Sequence, residues 1–421
     1  MYPIHHTFGP HVTFTYALRS LGLLIQPWKW KRGSEQEYLR EALEQSLHGD
    51  VFLFSSGREA LLGLLRALHL KSGEEVIIQG YTCIVVPNAI HAAGGVPVYA
   101  DIDGDTLNLD CDDVERRITP RTRAVIVQHT FGIPADLSRL RKICDEHHIL
   151  LIEDCAHLLP DDPASPIART GEFTILSFGR DKAISGVSGG AVISRKADTT
   201  SALKELQSSA GTLPHSVIAR YLLYPLIYRK ARALYTIGLG RTYLALCKRL
   251  RLLVPIVSSE EKHGDMQPLL SQCPNACATL ALYSLRQLPR TNTHRRALTQ
   301  FYIRACLEHG WNIIPGILEQ GTRNKEPILQ KFPLFFPQAD TIRTALKRYN
   351  IHLDDGWTGC VVCPRSVDPL DAGYTAGNHP DAEIACERIL SLPTHPTMTM
   401  RQAKRLIATL SSVLHAQSHD H

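Results

Sequence analysis

The sequence predicts an α/β protein. A large domain is built on a mainly parallel central sheet flanked by helices, and a smaller C-terminal α+β domain follows. Short apolar runs, several of them β-branched and unbroken, recur between residues 51 and 193. Such runs mark strands buried on both faces. Stretches with leucines at helical spacing fit between them. A length of 421 residues, with 44% apolar content, is enough for two or three domains with a real core.

Strands are expected at 51–54, 76–78, 97–99, 124–127, 150–152, 174–176 and 191–193. Residues 58–68 place Leu61, Leu62, Leu64, Leu65 and Leu68 largely on one side. Residues 135–147 do the same with Leu137, Leu140, Ile143 and Cys144, so both read as helices covering the sheet. Residues 1–35 form an aromatic, basic segment with no acid before Glu35, and the α/β pattern occupies 36–200. It gives way at 201–265 to a Leu- and Tyr-rich insert of helical period. Between Gly211 and Ser258 this insert has no Asp or Glu, and it carries Arg229, Lys230, Arg232, Lys248 and Arg249. The smaller domain, 266–421, opens with a helical stretch at 276–288 and closes with one at 401–414.

A net charge of +5 is too slight to imply nucleic acid, and no DNA-binding motif is present. The 11 cysteines lie scattered in apolar stretches. The N-terminal residues lack the charged and apolar regions of a signal peptide. Together these point to a reducing, cytoplasmic setting. Cys360-Val-Val-Cys363 and Cys273-Pro-Asn-Ala-Cys277 allow a four-thiolate zinc reading. Buried thiols without a metal are the simpler reading, and no metal is expected. No uncharged apolar run is long enough for a transmembrane helix.

In an open α/β sheet, ligands bind beyond the carboxyl ends of the strands. Ser55-Ser-Gly57 follows the first run and opens a helix. Tyr81-Thr-Cys83 follows the second, His129 the fourth and Asp154 the fifth, while Ser177 and Lys182 follow the sixth. Ser-Ser-Gly at a helix start suits a phosphate, because the N–H groups there are unpaired and the helix dipole favours an anion. Arg58 could add a charge-assisted bond; a plain Ser N-cap explains the same residues. Asp154 and His157 form a candidate cofactor contact pair. Lys182 alone would read as a loop lysine. Ser177-Phe178 before it and Gly189-Gly190 after it instead make it a lysine presented from a buried strand end. An acid and a lysine so placed are what pyridoxal phosphate needs. The lysine forms the Schiff base and the acid holds the pyridine nitrogen protonated.

Further motifs extend this set. They include Ser56-Gly-Arg-Glu-Ala-Leu61, Gly94-Gly-Val-Pro-Val98, Gly132-Ile-Pro-Ala-Asp136, Glu153-Asp-Cys-Ala-His157, Ser177-Phe-(x)3-Lys182 and Leu390-Ser-Leu-Pro-Thr-His-Pro396. In this order they resemble the DegT/DnrJ/EryC1/StrS family, the sugar aminotransferases of pyridoxal phosphate fold type I. The resemblance implies Lys182 as the Schiff-base lysine, Asp154 as partner of the pyridine nitrogen and His157 near the phenolic oxygen. It puts Gly57, Arg58 and Ser177 at the phosphate. Where the family stacks an aromatic ring on the cofactor, this chain has Cys83, so Cys83 or Tyr81 takes that place. Family members that dehydrate sugars carry His at the position of Lys182, so lysine implies transamination. The resemblance further implies an amino-acid donor, glutamate, a keto-sugar nucleotide as acceptor, ping-pong kinetics and a homodimer with sites at its interface. The family's Gly-x-Asn-x-Arg-Met segment, through which the partner subunit reaches the site, is poorly matched at 263–275. The alternatives are other pyridoxal phosphate chemistry, such as sugar dehydration or amination of a non-sugar ketone, and a non-catalytic regulator that binds the cofactor. The acid-free stretch 211–258 and the similar stretch 12–32, with Trp28 and Trp30, allow peripheral contact with an anionic membrane. A helical subdomain that covers the core, or a dimer contact, is the simpler reading.

Overall fold

The computed structural model describes residues 2–267, 269–322 and 327–418. Its central sheet has seven strands in the order β1-β7-β6-β5-β4-β2-β3. These are β1 (Asp50–Phe54), β2 (Glu75–Gln79), β3 (Val96–Ala100), β4 (Thr122–Gln128), β5 (Leu150–Asp154), β6 (Phe173–Ser177) and β7 (Gly190–Ser194). The pairs β2/β3, β2/β4, β4/β5 and β5/β6 are parallel. Strand β7 runs antiparallel to both β1 and β6. The carboxyl ends of β1, β2, β4, β5 and β6 therefore share one edge with the amino end of β7.

Alternate residues of each strand enter opposite cores, as the period of two requires. Val76, Ile78, Ala124 and Ile126 join the leucines of α3 (Gly57–Ala67). Ile77, Val125 and Val127 join Leu140 and Ile143 of α4 (Leu137–Glu146). Both faces are covered, which is why these runs read as continuously apolar. An antiparallel pair, β8 (Lys331–Phe335) and β9 (Ile389–Pro393), forms the C-terminal sheet. It shares its core with the α3 side of the main sheet.

Three segments lie elsewhere than a linear division suggests. Ile4–His5 pairs in parallel with Ile351–His352, and Tyr2 O accepts from Arg405 Nη1 at 2.7 Å. The N-terminal segment is thus part of the C-terminal layer. Helix α7 (Asn275–Arg286) packs through Cys277, Ala278, Ala281 and Leu282 on Leu39, Leu43 and Leu47 of α2 (Ser34–Leu47). Its small residues seat the leucines of α2, so the stretch expected to open the smaller domain covers the large sheet instead. Helix α8 (Leu288–His309) follows it. Finally, α1 (Phe14–Leu24) packs on α5 (His215–Tyr235) through Tyr16, Ala17, Ile218, Leu222 and Tyr224. Ser20 Oγ donates to Leu222 O at 2.7 Å. The two acid-free stretches are neighbours in space, and α6 (Gly240–Arg249) extends them.

Candidate active site

The site grows from the shared strand edge. At the end of β5 the Asp154 carboxylate accepts the Ala156 N–H at 2.9 Å, beginning the turn that carries His157. At the end of β6, Phe178 N donates to Gly189 O and Gly186 N donates to Phe178 O, both at 2.8 Å. These bonds close the loop that presents Lys182. Lys182 Nζ lies 3.2 Å from His157 Nε2, and the Lys182 carbonyl meets His11 Nε2 at 2.8 Å. Two strand ends and the N-terminal segment thus hold one amine.

Burial, reinforced by Lys182 and Lys331, pushes the His157 pKa well below the ordinary imidazole range, so the ring is neutral. Its Nδ1 accepts the Phe131 N–H at 3.4 Å. Phe131 makes this bond from a left-handed backbone conformation, φ 55°, uncommon for a bulky residue. Its ring stacks on His157 at 6.0 Å, and Trp357 stands edge-on to His157 at 5.2 Å. Burial raises the Asp154 carboxyl above its ordinary range, while Lys182 and His129 act against that shift.

The start of α3 lies against β6 and β7 at distances that demand glycine. A Cβ on Gly57 would stand 2.8 Å from Ser177 Cβ, and one on Gly190 would stand 2.5 Å from Gly57 N. Ser56 is the N-cap, accepting the Glu59 N–H at 3.2 Å, and the start of the helix favours an anion. Glu59 in that turn would repel an anion if ionised. Burial pushes its pKa up to about 7; Ser55 Oγ donates to it, as does Ser271 N at 2.6 Å. Arg58 is engaged elsewhere: its guanidinium pairs with Glu261 and donates to Ile256 O. It can reach a phosphate only by leaving these partners.

Tyr81 is wholly buried. Its hydroxyl donates to Trp357 O at 2.9 Å, and its ring meets Phe131 and Trp357 edge-on. Cys83 is only partly buried, and burial raises its thiol pKa. Of the two residues named for the ring position, Cys83 is therefore the one with an accessible side chain. Cys363 pairs with Cys83 across a short parallel ladder and lies 3.5 Å, sulfur to sulfur, from Cys360. Cys273 and Cys277 lie in a different core, so the four thiols do not converge. Among the described residues one buried trio has metal-ligand spacing: His129, Glu153 and Cys155. There Glu153 accepts the N–H groups of Ala168 and Gly171, both at 2.7 Å, and lies 3.5 Å from His129 Nε2. These contacts give the carboxylate a structural role.

A lysine amine beside a neutral imidazole, an acid on the adjacent strand end and a glycine-lined helix start fit pyridoxal phosphate on an α/β scaffold. The profile of the DegT/DnrJ/EryC1/StrS aminotransferase family matches residues 22–214 and 263–411, and the chain belongs to that family. Among its relatives, the UDP-N-acetyl-3-dehydro-alpha-D-glucosamine 3-aminotransferase of Acidithiobacillus ferrooxidans is 24% identical over 86% of this chain and 83% of its own length. The L-glutamine:2-deoxy-scyllo-inosose aminotransferase of Streptomyces kanamyceticus is 34% identical over 40% of this chain. The GDP-perosamine synthase of Vibrio cholerae is 36% identical over 33% of it. The matches to these last two span only 39% and 38% of their own lengths. DesI, solved with its TDP-sugar product, superposes with a TM-score of 0.72 at 21% identity over 100% of this chain and 96% of its own. NtdA of Bacillus subtilis, solved with bound PMP, gives 0.68 at 21% identity over 95% and 81%. These two likenesses establish the fold.

Sequence reasoning did not find Phe131, Trp357, Lys331 or His11. Lys331 Nζ lies 3.3 Å from Asp355 Oδ2, with both side chains almost wholly buried, and 5.1 Å from the Phe131 ring. One signal was available: His5, His6 and His11 crowd an otherwise apolar and aromatic N-terminus. The others come from tertiary contacts that leave no local pattern.

Proposed function

We propose that this protein is a pyridoxal phosphate-dependent aminotransferase that moves an amino group from an amino acid, glutamate first, to a nucleotide-linked keto sugar. The observation that carries the reading is Lys182 Nζ, 3.2 Å from a His157 nitrogen, on a chain of this family. The cofactor supplies an electron sink that side chains lack. Gly57, Ser177 and the start of α3 would hold its phosphate, Arg58 would stand at the rim, Cys83 would face its ring and Asp154 would balance its ring nitrogen. Lys182 Nζ is the amine that holds and moves the proton. His157, kept neutral by burial, fixes Nζ without competing for that proton. The named relatives act on sugars or cyclitols, which supports a keto-sugar acceptor.

The same reading carries a homodimer with sites at its interface and a cytoplasmic location. All 11 cysteines are unpaired thiols, which fits a reducing compartment. The test is the visible spectrum of the reconstituted protein before and after glutamate, followed by product analysis with UDP-, GDP- and TDP-linked keto sugars. The expected result is a Schiff-base band that glutamate bleaches and a keto sugar restores. A band indifferent to every amino donor would sink transamination. Bleaching without restoration by any sugar would sink the acceptor class.

A further inference from the structure

The helices α1, α5 and α6 form one face that belongs to no part of the site. The family profile leaves residues 215–262 unmatched, and these residues contain α5 and α6. Helix α1 turns Phe14, Leu18, Leu21 and Ile25 outward, 60%, 49%, 46% and 72% exposed. Their spacing of i, i+4, i+7 and i+11 makes a single stripe along the helix. Trp28, just beyond, is 71% exposed. A second stripe at the same spacing follows α6: Leu239, Tyr243, Leu246 and Leu250, in which the three leucines are exposed.

Contacts join the stripes. The Arg229 guanidinium lies 4.9 Å from the centre of the Phe14 ring, and the next residue, Lys230, places its ammonium 5.2 Å from that of Tyr243. Arg241, Lys248, Arg249 and Arg251 are exposed on and just beyond α6. No acid occurs before Glu35 or between Gly211 and Ser258, so no carboxylate from either segment offsets these charges.

We infer that this face docks the enzyme on an anionic lipid bilayer. Exposed apolar stripes edged by Lys and Arg, with a tryptophan at one end, suit the boundary between headgroups and acyl chains. No helix among the described residues is long and apolar enough to span a membrane, so the contact is peripheral. A second copy of the chain is a poorer occupant, because a two-fold interface would set this basic face against itself. Nucleic acid would match the charge but leave both apolar stripes in water.

The test uses the full-length holoenzyme and sucrose-loaded vesicles, of phosphatidylcholine alone or mixed with phosphatidylglycerol. Sedimentation should recover the protein roughly tenfold better with the mixed vesicles, and added salt should weaken recovery. The charge-reversal pair Arg229→Glu/Lys230→Glu and, separately, the apolar pair Leu18→Ser/Leu21→Ser should each reduce recovery to the level of phosphatidylcholine alone. Circular dichroism and thermal melting establish that both variants fold. Equal recovery on the two vesicle types, or variants that bind like wild type, would overturn the inference. So would a change in molar mass by light scattering in the apolar variant, which would mark a contact between copies. Retention on duplex DNA that ignores the apolar variant would mark a nucleic-acid surface. Vesicle binding is read without turnover, so its failure leaves the aminotransferase reading standing.

Discussion

The strand-end edge of the sheet and the α1–α5–α6 face are built by opposite means. At the edge, groups are forced together: Gly190 against Gly57, Gly57 against Ser177, and Lys182 against a buried imidazole. On the face, groups are left apart, with apolar side chains and cations turned to solvent and no acid supplied from the same segments. The edge lies within the matched family profile, whereas α5 and α6 lie outside it. Close packing fixes chemistry, while sparse, patterned exposure leaves a surface to be completed by something else. Substitutions at the edge should therefore be costly to the protein itself. Those on the face should be silent until a partner is present.

Lys182→Ala gives the sharpest contrast. It should lower amino transfer by roughly 10^3-fold, read as keto acid released from glutamate, while vesicle recovery stays at the wild-type level. A parallel loss of recovery would show that the two regions are not independent.

Asp355→Asn tests the support beneath the site. It leaves Lys331 buried without its counter-charge, and the loss should be about 3–5 kcal/mol by urea denaturation. The wild-type pair also sets a pH dependence. Burial alone would raise the Asp355 pKa, but Lys331 and His6 bring it down to about 2, against 3.8 ordinarily. A carboxyl lowered on folding contributes stability that is complete above pH 3.8 and disappears as pH falls through about 2. That contribution is roughly 2 kcal/mol, and Asp355→Asn should flatten the acid limb. An unchanged acid limb would mean that Lys331 and Asp355 are not coupled in solution.

Gly190→Ala should cost about 1–3 kcal/mol, because its new Cβ would meet the first residue of α3. The affinity for pyridoxal phosphate should fall with it, measured by fluorescence titration. Wild-type affinity and stability would show that α3 can retreat without consequence. Leu246→Ser with Leu250→Ser is the smallest effect. Both side chains are more than half exposed, so stability should stay within about 0.5 kcal/mol of wild type by thermal melting. A larger loss would show that the stripe already has a partner within the chain.

The sheet was legible because its strands are buried on both faces and its helices carry leucines on one side. Asp154, Ser177 and Gly57 were legible as candidates because each terminates a strand or opens a helix, and His157 and Lys182 because each lies in the loop just beyond such a strand end. Arg58 was legible as a residue but not as an interaction: its partner Glu261 is distant in sequence and lies near the end of the 201–265 insert. Trp357 and Phe131 were not legible, since no neighbouring residue in the sequence marks the imidazole that either will face. The position of α7 was hidden as well. Its alanines fit a helix in either layer, and only the leucines of α2 decide which.

The N-terminal clasp imposes an order on biosynthesis. His11 reaches the Lys182 carbonyl, His5 O meets His395 Nε2 at 2.9 Å, and Tyr2 is held by Arg405. Because synthesis runs from the N-terminus, residues 2–5 emerge well before residues 395 and 405, and their contacts with those residues form only once both are made. The loop that carries Lys182 is thereby tied, through His11, to a segment that is itself fastened to the C-terminal layer. A chain that stops after Ser194 but before His395 has all seven strands of the central sheet and lacks the C-terminal partners of Tyr2 and His5.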